Sequence, residues 1–210
     1  MEWGFVVNPY DWCVVNKIIQ GSQCTIIWHV DDLKISHKCA KVVDDIIRQL
    51  QDEFGGQAPL TVHRGKEHIY LGMGLDFREE GKVKIDMSKY IQDMLGELDP
   101  WYDGTAVTPA SANLFTVRQE AEKLAPADCE QFHRAVAQCL FLWKRGRPDI
   151  GTAISFLCKR VNNPDFDDKK KLRRVMQYLR ATIDIILTLE ADNLHRHRWY
   201  VDAAFAVQRT

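Results

Sequence analysis

"CTIIWHVDDLKISHKCA", residues 24–40, sets two adjacent aspartates, Asp31 and Asp32, between two short runs of apolar, β-prone residues. β-Branched and aromatic side chains favour a pleated, half-buried strand. "CTIIWHV" and "LKIS" therefore read as strands, with the carboxylates at the turn between them. Upstream, "CVVNKII" and the turn "QGSQ", with Gly21 and Ser22, add another strand to the same hairpin system. Downstream the period changes. "KCAKVVDDIIRQLQDEF" puts Val42, Val43, Ile46, Ile47, Leu50 and Phe54 on one stripe at helical spacing, and Gly55–Gly56 stops it. Strands followed by an amphipathic helix with one buried face predict an α+β fold.

The pattern repeats further out. "HIYLGMGLDF", the turn "REEGK" and "VKIDM" read as a second hairpin, and "SKYIQDMLGEL" as a helix ended by Asp99–Pro100. Residues 100–127, with three prolines and many small or polar residues, read as a connector over the surface. Three helices follow. "DCEQFHRAVAQCLFLWKRG" carries Phe132, Val136, Cys139, Leu140 and Trp143 on one face; "PDIGTAISFLCKRV" opens on Pro148, where a first-turn proline loses no helical bond, and carries Ile150, Ile154, Leu157 and Val161. "DDKKKLRRVMQYLRAT" turns Leu172, Val175, Met176 and Leu179 inward and most of its basic residues outward. "IDIILTLE" and "RWYVDAAFAV" alternate like strands. Trp28 and Trp143 read as core residues.

At 210 residues, with 46% hydrophobic and 27% charged residues, the chain is long enough to bury a core. Its start lacks a basic region followed by a long apolar run, and no segment approaches the ~20 apolar residues of a membrane span. The chain reads as soluble and intracellular, with no membrane partner. Cys13, Cys24, Cys39, Cys129, Cys139 and Cys158 show no Cys-x-x-Cys spacing and read as reduced thiols. The net charge of -1 hides a polarity: residues 1–143 hold 14 Lys+Arg against 21 Asp+Glu, residues 144–180 hold 11 against 4, and the remainder 3 against 4. A basic segment of this density is either a solvated helix face or a surface that follows a phosphate backbone.

Adjacent carboxylates repel, and a cation or solvent must relieve them. Mg²⁺ suits hard oxygen ligands and is held by one or two carboxylates plus substrate phosphates. Two such ions ~4 Å apart clamp the attacking and leaving oxygens of a phosphoryl transfer. Asp-Asp in a solvated turn is also common, and Asp44–Asp45 and Asp167–Asp168 in this chain read as helix surface and helix start.

The wider context distinguishes the first pair. "HVDD" between short strands, followed by "LKIS", resembles the Val-Asp-Asp motif of reverse transcriptases. "GFVVNPYDWCVV", "GKEHIYLGMGLDF", "KYIQDML", "FHRAVAQCLFLWKRGRPDIGTAISFL", "LRRVMQYLRAT" and "YVDAAFA" resemble, in order, successive stretches of the copia-type retrotransposon polyprotein, with Arg-Pro-Asp-Ile the most specific tetrad. The resemblance spans essentially the whole chain. It implies a partial reverse transcriptase palm over 1–100, a connector over 101–127, a helical thumb or connection region over 128–184, and the truncated start of a ribonuclease H-like domain over 185–210. It implies that Asp31 and Asp32 are the catalytic, metal-binding carboxylates for Mg²⁺ or Mn²⁺. His29 and Val30 would border the primer end, and Asp202 would be the first acid of a truncated ribonuclease H site. The implied partners are an RNA/DNA template-primer duplex and, in the intact enzyme, deoxynucleotide triphosphates. The implied location is the cytoplasm, in a virus-like particle of the intact element, or the nucleus. Lys159, Arg160, Lys170, Arg173 and Arg174 would then meet the duplex backbone.

The chain departs from the family at three places. A further catalytic aspartate and the fingers precede the hairpin in the family, so only part of the site is present and the expectation is a fragment of an RNA-directed DNA polymerase, inactive alone. The alternative is a non-catalytic nucleic-acid-binding remnant. His29 stands where the family commonly has tyrosine, and Asp86–Met87 where it has Ser-Gln. The ribonuclease H-like region ends eight residues after Asp202. His195 and His197 read as surface residues, and Lys66 as a solvated loop lysine.

Overall fold

The computed structural model describes residues 3–56 and 58–191. It is an α+β fold of two antiparallel four-stranded sheets and five helices. Two compact units divide at Gly65, residues 1–65 and 66–210, so the sequence boundaries at 100, 127 and 184 fall inside the second. Among the described residues no helix is long and apolar enough to cross a membrane.

The first unit is a meander, β1 (Val6–Asn8), β2 (Asp11–Ile19), β3 (Ser22–His29) and β4 (Asp32–Ser36), followed by α1 (Ala40–Phe54). Alternation places Val15, Cys24 and Ile26 on one face, where they meet Phe5 and the α1 residues Val42 and Ile46. Each fully buried valine or isoleucine contributes about 1.5–3 kcal/mol. The helix ends where Gly55 N–H donates to Gln51 O at 2.8 Å. Phe54, expected on the buried stripe, is 48% exposed in the last turn. Trp28 packs against this core as its pattern indicates.

The second unit opens with β5 (Glu67–Tyr70), β6 (Met73–Asp76) and β7 (Lys82–Asp86), then α2 (Ser88–Gly96). "HIYLGMGLDF" is thus two strands rather than one. Leu71 and Gly72 both take positive φ, +51° and +71°, and turn the chain back in two residues, the backbone hand that favours tight hairpins. Asp86 Oδ1 accepts from Ser88 N–H at 2.7 Å, so this aspartate supplies a side-chain acceptor at the helix start.

Beyond the connector lie α3 (Pro126–Arg145), α4 (Gly151–Cys158) and α5 (Phe166–Ala181). A short 3-10 turn, Pro148–Ile150, precedes α4, so Pro148 opens that turn rather than the α-helix itself. α3 touches α2, α4 and α5. A helix with neighbours on several sides buries more than one stripe, which is why Leu142 is fully buried while Leu140 and Trp143 pack at the core's margin. Gly151 is required by that margin, since a Cβ there would lie 2.3 Å from Trp143 Nε1.

The segment expected to open a ribonuclease H-like domain contributes β8 (Leu187–Glu190), which pairs with β7 and completes the second sheet. Asp202, His195 and His197 lie outside the described residues. All six cysteines are free thiols. Burial pushes the Cys139 thiol up to about 12, which keeps it protonated and unreactive.

Candidate functional site

The β3–β4 hairpin closes through a two-residue turn, Val30–Asp31, between the paired residues His29 and Asp32. Val30 takes φ +54° while Asp31 does not take a positive φ, the pattern of a II′-class turn whose first position normally holds glycine. Two other turns with a left-handed first residue, Gln20–Gly21 and Leu71–Gly72, follow it with a left-handed glycine. The Val30–Asp31 turn contains no glycine, and its left-handed residue is β-branched, a strained combination. The strain, about 1–3 kcal/mol, is held by the strand pairing on either side.

The turn projects its polar groups into solvent. His29, Val30, Asp31 and Asp32 are all exposed, Val30 to 88%. Neither carboxylate has a hydrogen bond or ion pair among the described residues. Trp28, Ile26 and Ile35 face the core, so alternation puts Asp32, Lys34 and Ser36 on the opposite face. Lys34 donates to Ser36 Oγ at 2.8 Å, and burial lowers its pKa from the ordinary lysine value. Sequence reasoning did not single out Lys34, although the period-2 alternation from Asp32 would have placed it on the same face. Among the described residues no group of three or more His, Cys, Asp or Glu is arranged to hold a metal ion.

The basic residues expected to track a duplex have different surroundings. Arg160 donates from Nε to Asp168 Oδ2 at 2.9 Å and from Nη2 to Asp165 Oδ2 at 3.1 Å. These two carboxylates are buried and form a capping box at the start of α5, so Arg160 neutralises buried acids. Lys159 is exposed at the end of α4. Lys170 is exposed, 3.6 Å from Asp167 and 4.9 Å from the Phe166 ring centre.

Arg173 and Arg174, which the sequence places on the outer arc of α5, face the connector rather than open solvent. The connector lies against this arc and is held by α5 side chains. Arg174 Nε donates to Thr108 O at 3.1 Å and Nη2 to Thr108 Oγ1 at 2.9 Å. Arg180 Nη1 donates to Tyr102 O and Gly104 O, Gln177 to Asp103 O, and Lys171 to Thr116 O. Backbone carbonyls of a loop need donors, and a basic helix supplies them.

The Arg-Pro-Asp-Ile tetrad also has a structural explanation. Arg147 is wholly buried, paired with Asp149 and donating to Thr182 O and Oγ1 beyond the end of α5. Burial works to raise the Asp149 pKa, but hydrogen bonds from Arg147 and Tyr178 outweigh it and hold the carboxyl below its ordinary value.

Compared with known proteins, no protein-family profile matches the chain. It is similar to an uncharacterised mitochondrial protein of Arabidopsis thaliana, 24% identical over 158 residues, covering 75% of this chain and 62% of the relative. It is also similar to a protein of Saccharomyces cerevisiae whose name assigns it to transposon Ty5-1, 25% identical over 178 residues, covering 84% of this chain and 55% of the relative. The chain therefore spans little more than half the length of these curated relatives. No solved structure matches.

Proposed function

We infer that the chain derives from a retrotransposon polyprotein and is a fragment of a copia-type RNA-directed DNA polymerase, with Asp31 and Asp32 as the acids of its nucleotidyl-transfer site. The observation that carries this reading is the hairpin tip, where adjacent, exposed carboxylates without a partner among the described residues sit on a strained turn that contains no glycine. Similarity to the yeast transposon protein supports the retrotransposon origin. In this reading residues 1–100 are palm, 128–184 thumb or connection, and 185–210 the start of a ribonuclease H-like domain.

The donor set fits Mg²⁺ or Mn²⁺, since hard carboxylate oxygens suit either ion and water and nucleotide phosphates complete the shell. Bound there, the ion neutralises charge on the transferring phosphoryl group. Asp31 and Asp32 hold it, while His29 and Val30 border the primer end. Lys34, on the face shared with Asp32, offers a cation to the incoming triphosphate. Template-primer duplex and deoxynucleotide triphosphates are the substrates, and the cytoplasm or nucleus is the place of work.

Two carboxylates supply only part of such a site, and positioning with charge neutralisation accounts for nearly all of phosphoryl-transfer catalysis. The second reading for the isolated chain is a non-catalytic nucleic-acid-binding remnant, which keeps duplex contacts without the chemistry. Primer extension separates the two. The 210-residue chain alone should incorporate no nucleotide, and addition of a fragment carrying the family's fingers and early palm should restore incorporation that Asp31→Asn abolishes. Lack of restoration, with duplex binding retained, leaves the remnant reading; robust incorporation by the chain alone would contradict the incomplete site.

A further inference from the structure

We propose that residues 103–110 form a displaceable strap, which occupies the basic arc of α5 in competition with the phosphate backbone of a nucleic-acid duplex. The inference rests on the nucleic-acid reading above and adds a regulatory step to it. Arg173, Gln177 and Arg180 recur at four and three residues along α5, so they share one face, with Arg174 beside them. Every one of these side chains reaches the connector. The acceptors are mainly backbone carbonyls, at Tyr102, Asp103, Gly104 and Thr108, with the Asp103 carboxylate 3.0 Å from Arg180.

The strap is held almost wholly by these polar contacts. Its large apolar anchors lie outside it, Tyr102 before and Leu114 after, both buried; within it the small Ala110 packs against the core at the far end, and Val107 at the middle is 91% exposed. Among the described residues one backbone bond joins the strap to the helix, Ala106 N–H to Gln177 O at 3.2 Å. Arg173 is poorly served by the arrangement. Its Nη2 reaches Asp103 O at 3.5 Å, its Nε is enclosed without an acceptor among the described residues, and its further contact is the Trp101 ring, 5.0 Å away. A phosphate accepts charge-assisted, bidentate bonds from a guanidinium, roughly twice as strong as bonds to a neutral carbonyl. Exchanging strap carbonyls for phosphate oxygens therefore improves the bonding of the arginines and leaves the buried core intact.

The test uses the full chain and a short RNA/DNA hybrid as probe. In the unmodified protein, amide hydrogen exchange at Ala106 should accelerate when the duplex is added. A charge-neutral variant, Gly104→Ala with Thr108→Val, loosens the strap: Gly104 has φ +100°, a Cβ there would sit 3.0 Å from Gln177 Nε2, and Thr108 loses the hydroxyl that Arg174 binds. It should bind the duplex about three- to tenfold more tightly, the factor by which the competent fraction rises. Duplex binding with unchanged or slowed Ala106 exchange overturns the strap and leaves the nucleic-acid reading standing. Absence of duplex binding by both proteins removes that reading, and the strap with it. If the variant does not fold, the exchange measurement on the unmodified chain decides alone.

Discussion

Arg147 and Asp149, two residues apart, form a bidentate pair in which Nε and Nη2 of the wholly buried arginine lie 2.8–3.2 Å from the carboxylate oxygens. The other side of the guanidinium bonds Thr182, so one side chain joins the turn before α4 to the chain just past α5. Breaking a buried pair by removing one partner costs about 3–5 kcal/mol. Arg147→Met, which keeps much of the volume, should cost about 3 kcal/mol, the lower end of that range, because Asp149 keeps 31% exposure and is partly solvated. Urea denaturation measures it. The pair also predicts an acid response. The folded pKa of Asp149 lies below its ordinary value, so its stabilisation is complete above the ordinary carboxylate range and is lost as pH falls through the folded pKa. The stability gap between the unmodified chain and Asp149→Asn should therefore shrink below about pH 4.

Val30→Gly should stabilise the first unit. Relief of about 1–3 kcal/mol of left-handed strain is set against the roughly 0.5–1 kcal/mol that glycine's unfolded freedom costs, for a mid-range net gain of about 1 kcal/mol. An unchanged or lowered unfolding midpoint would show that Val30 carries no strain.

Mg²⁺ binding should be weak, of about millimolar affinity, because two carboxylates leave most of the shell to water. Amide shifts of Asp31 and Asp32 during a Mg²⁺ titration report it. Asp31→Asn should abolish the response, and a response that survives the substitution would place the ion elsewhere.

The two exposed lysines and Arg160 separate nucleic-acid contacts from fold support. Lys170→Gln should leave stability nearly unchanged and lower the slope of log affinity against log salt by about one. Arg160→Gln should lower stability by about 3 kcal/mol, seen as a shifted denaturation midpoint, since it takes the guanidinium from two buried carboxylates and leaves them the capping-box amides and Lys171, 3.6 Å from Asp168. A normal midpoint for Arg160→Gln would mean that Asp165 and Asp168 do not depend on its charge.

Much of this was legible in the sequence because it is local. The two hairpin runs around Asp31–Asp32 and the Val42, Val43 and Ile46 stripe of α1 carry their periods openly. The second hairpin was less so, because Leu71 is an apolar residue in a turn and periodicity alone reads it as strand. Leu142 escaped because one-stripe reasoning fails for a helix with neighbours on several sides. The partners of Arg173 and Arg174 were not legible, because their acceptors are carbonyls of a loop 66 to 70 positions earlier, which no sequence pattern announces. The strain at Val30 follows from a backbone angle that its residue type disfavours.

The pairing of β7 with β8 has a consequence for synthesis. Residues 82–86 leave the ribosome long before 187–190, so β7 waits with one row of backbone groups unpaired while α2 to α5 are made. A nascent edge of this kind is a template for wrong partners. The sequence of that edge, "KVKID", alternates charge with apolar residues, and charged side chains on an open edge, lysine above all, discourage its pairing with another chain. β8, the last strand among the described residues, thus completes a sheet whose earlier strand carries its own guard against aggregation.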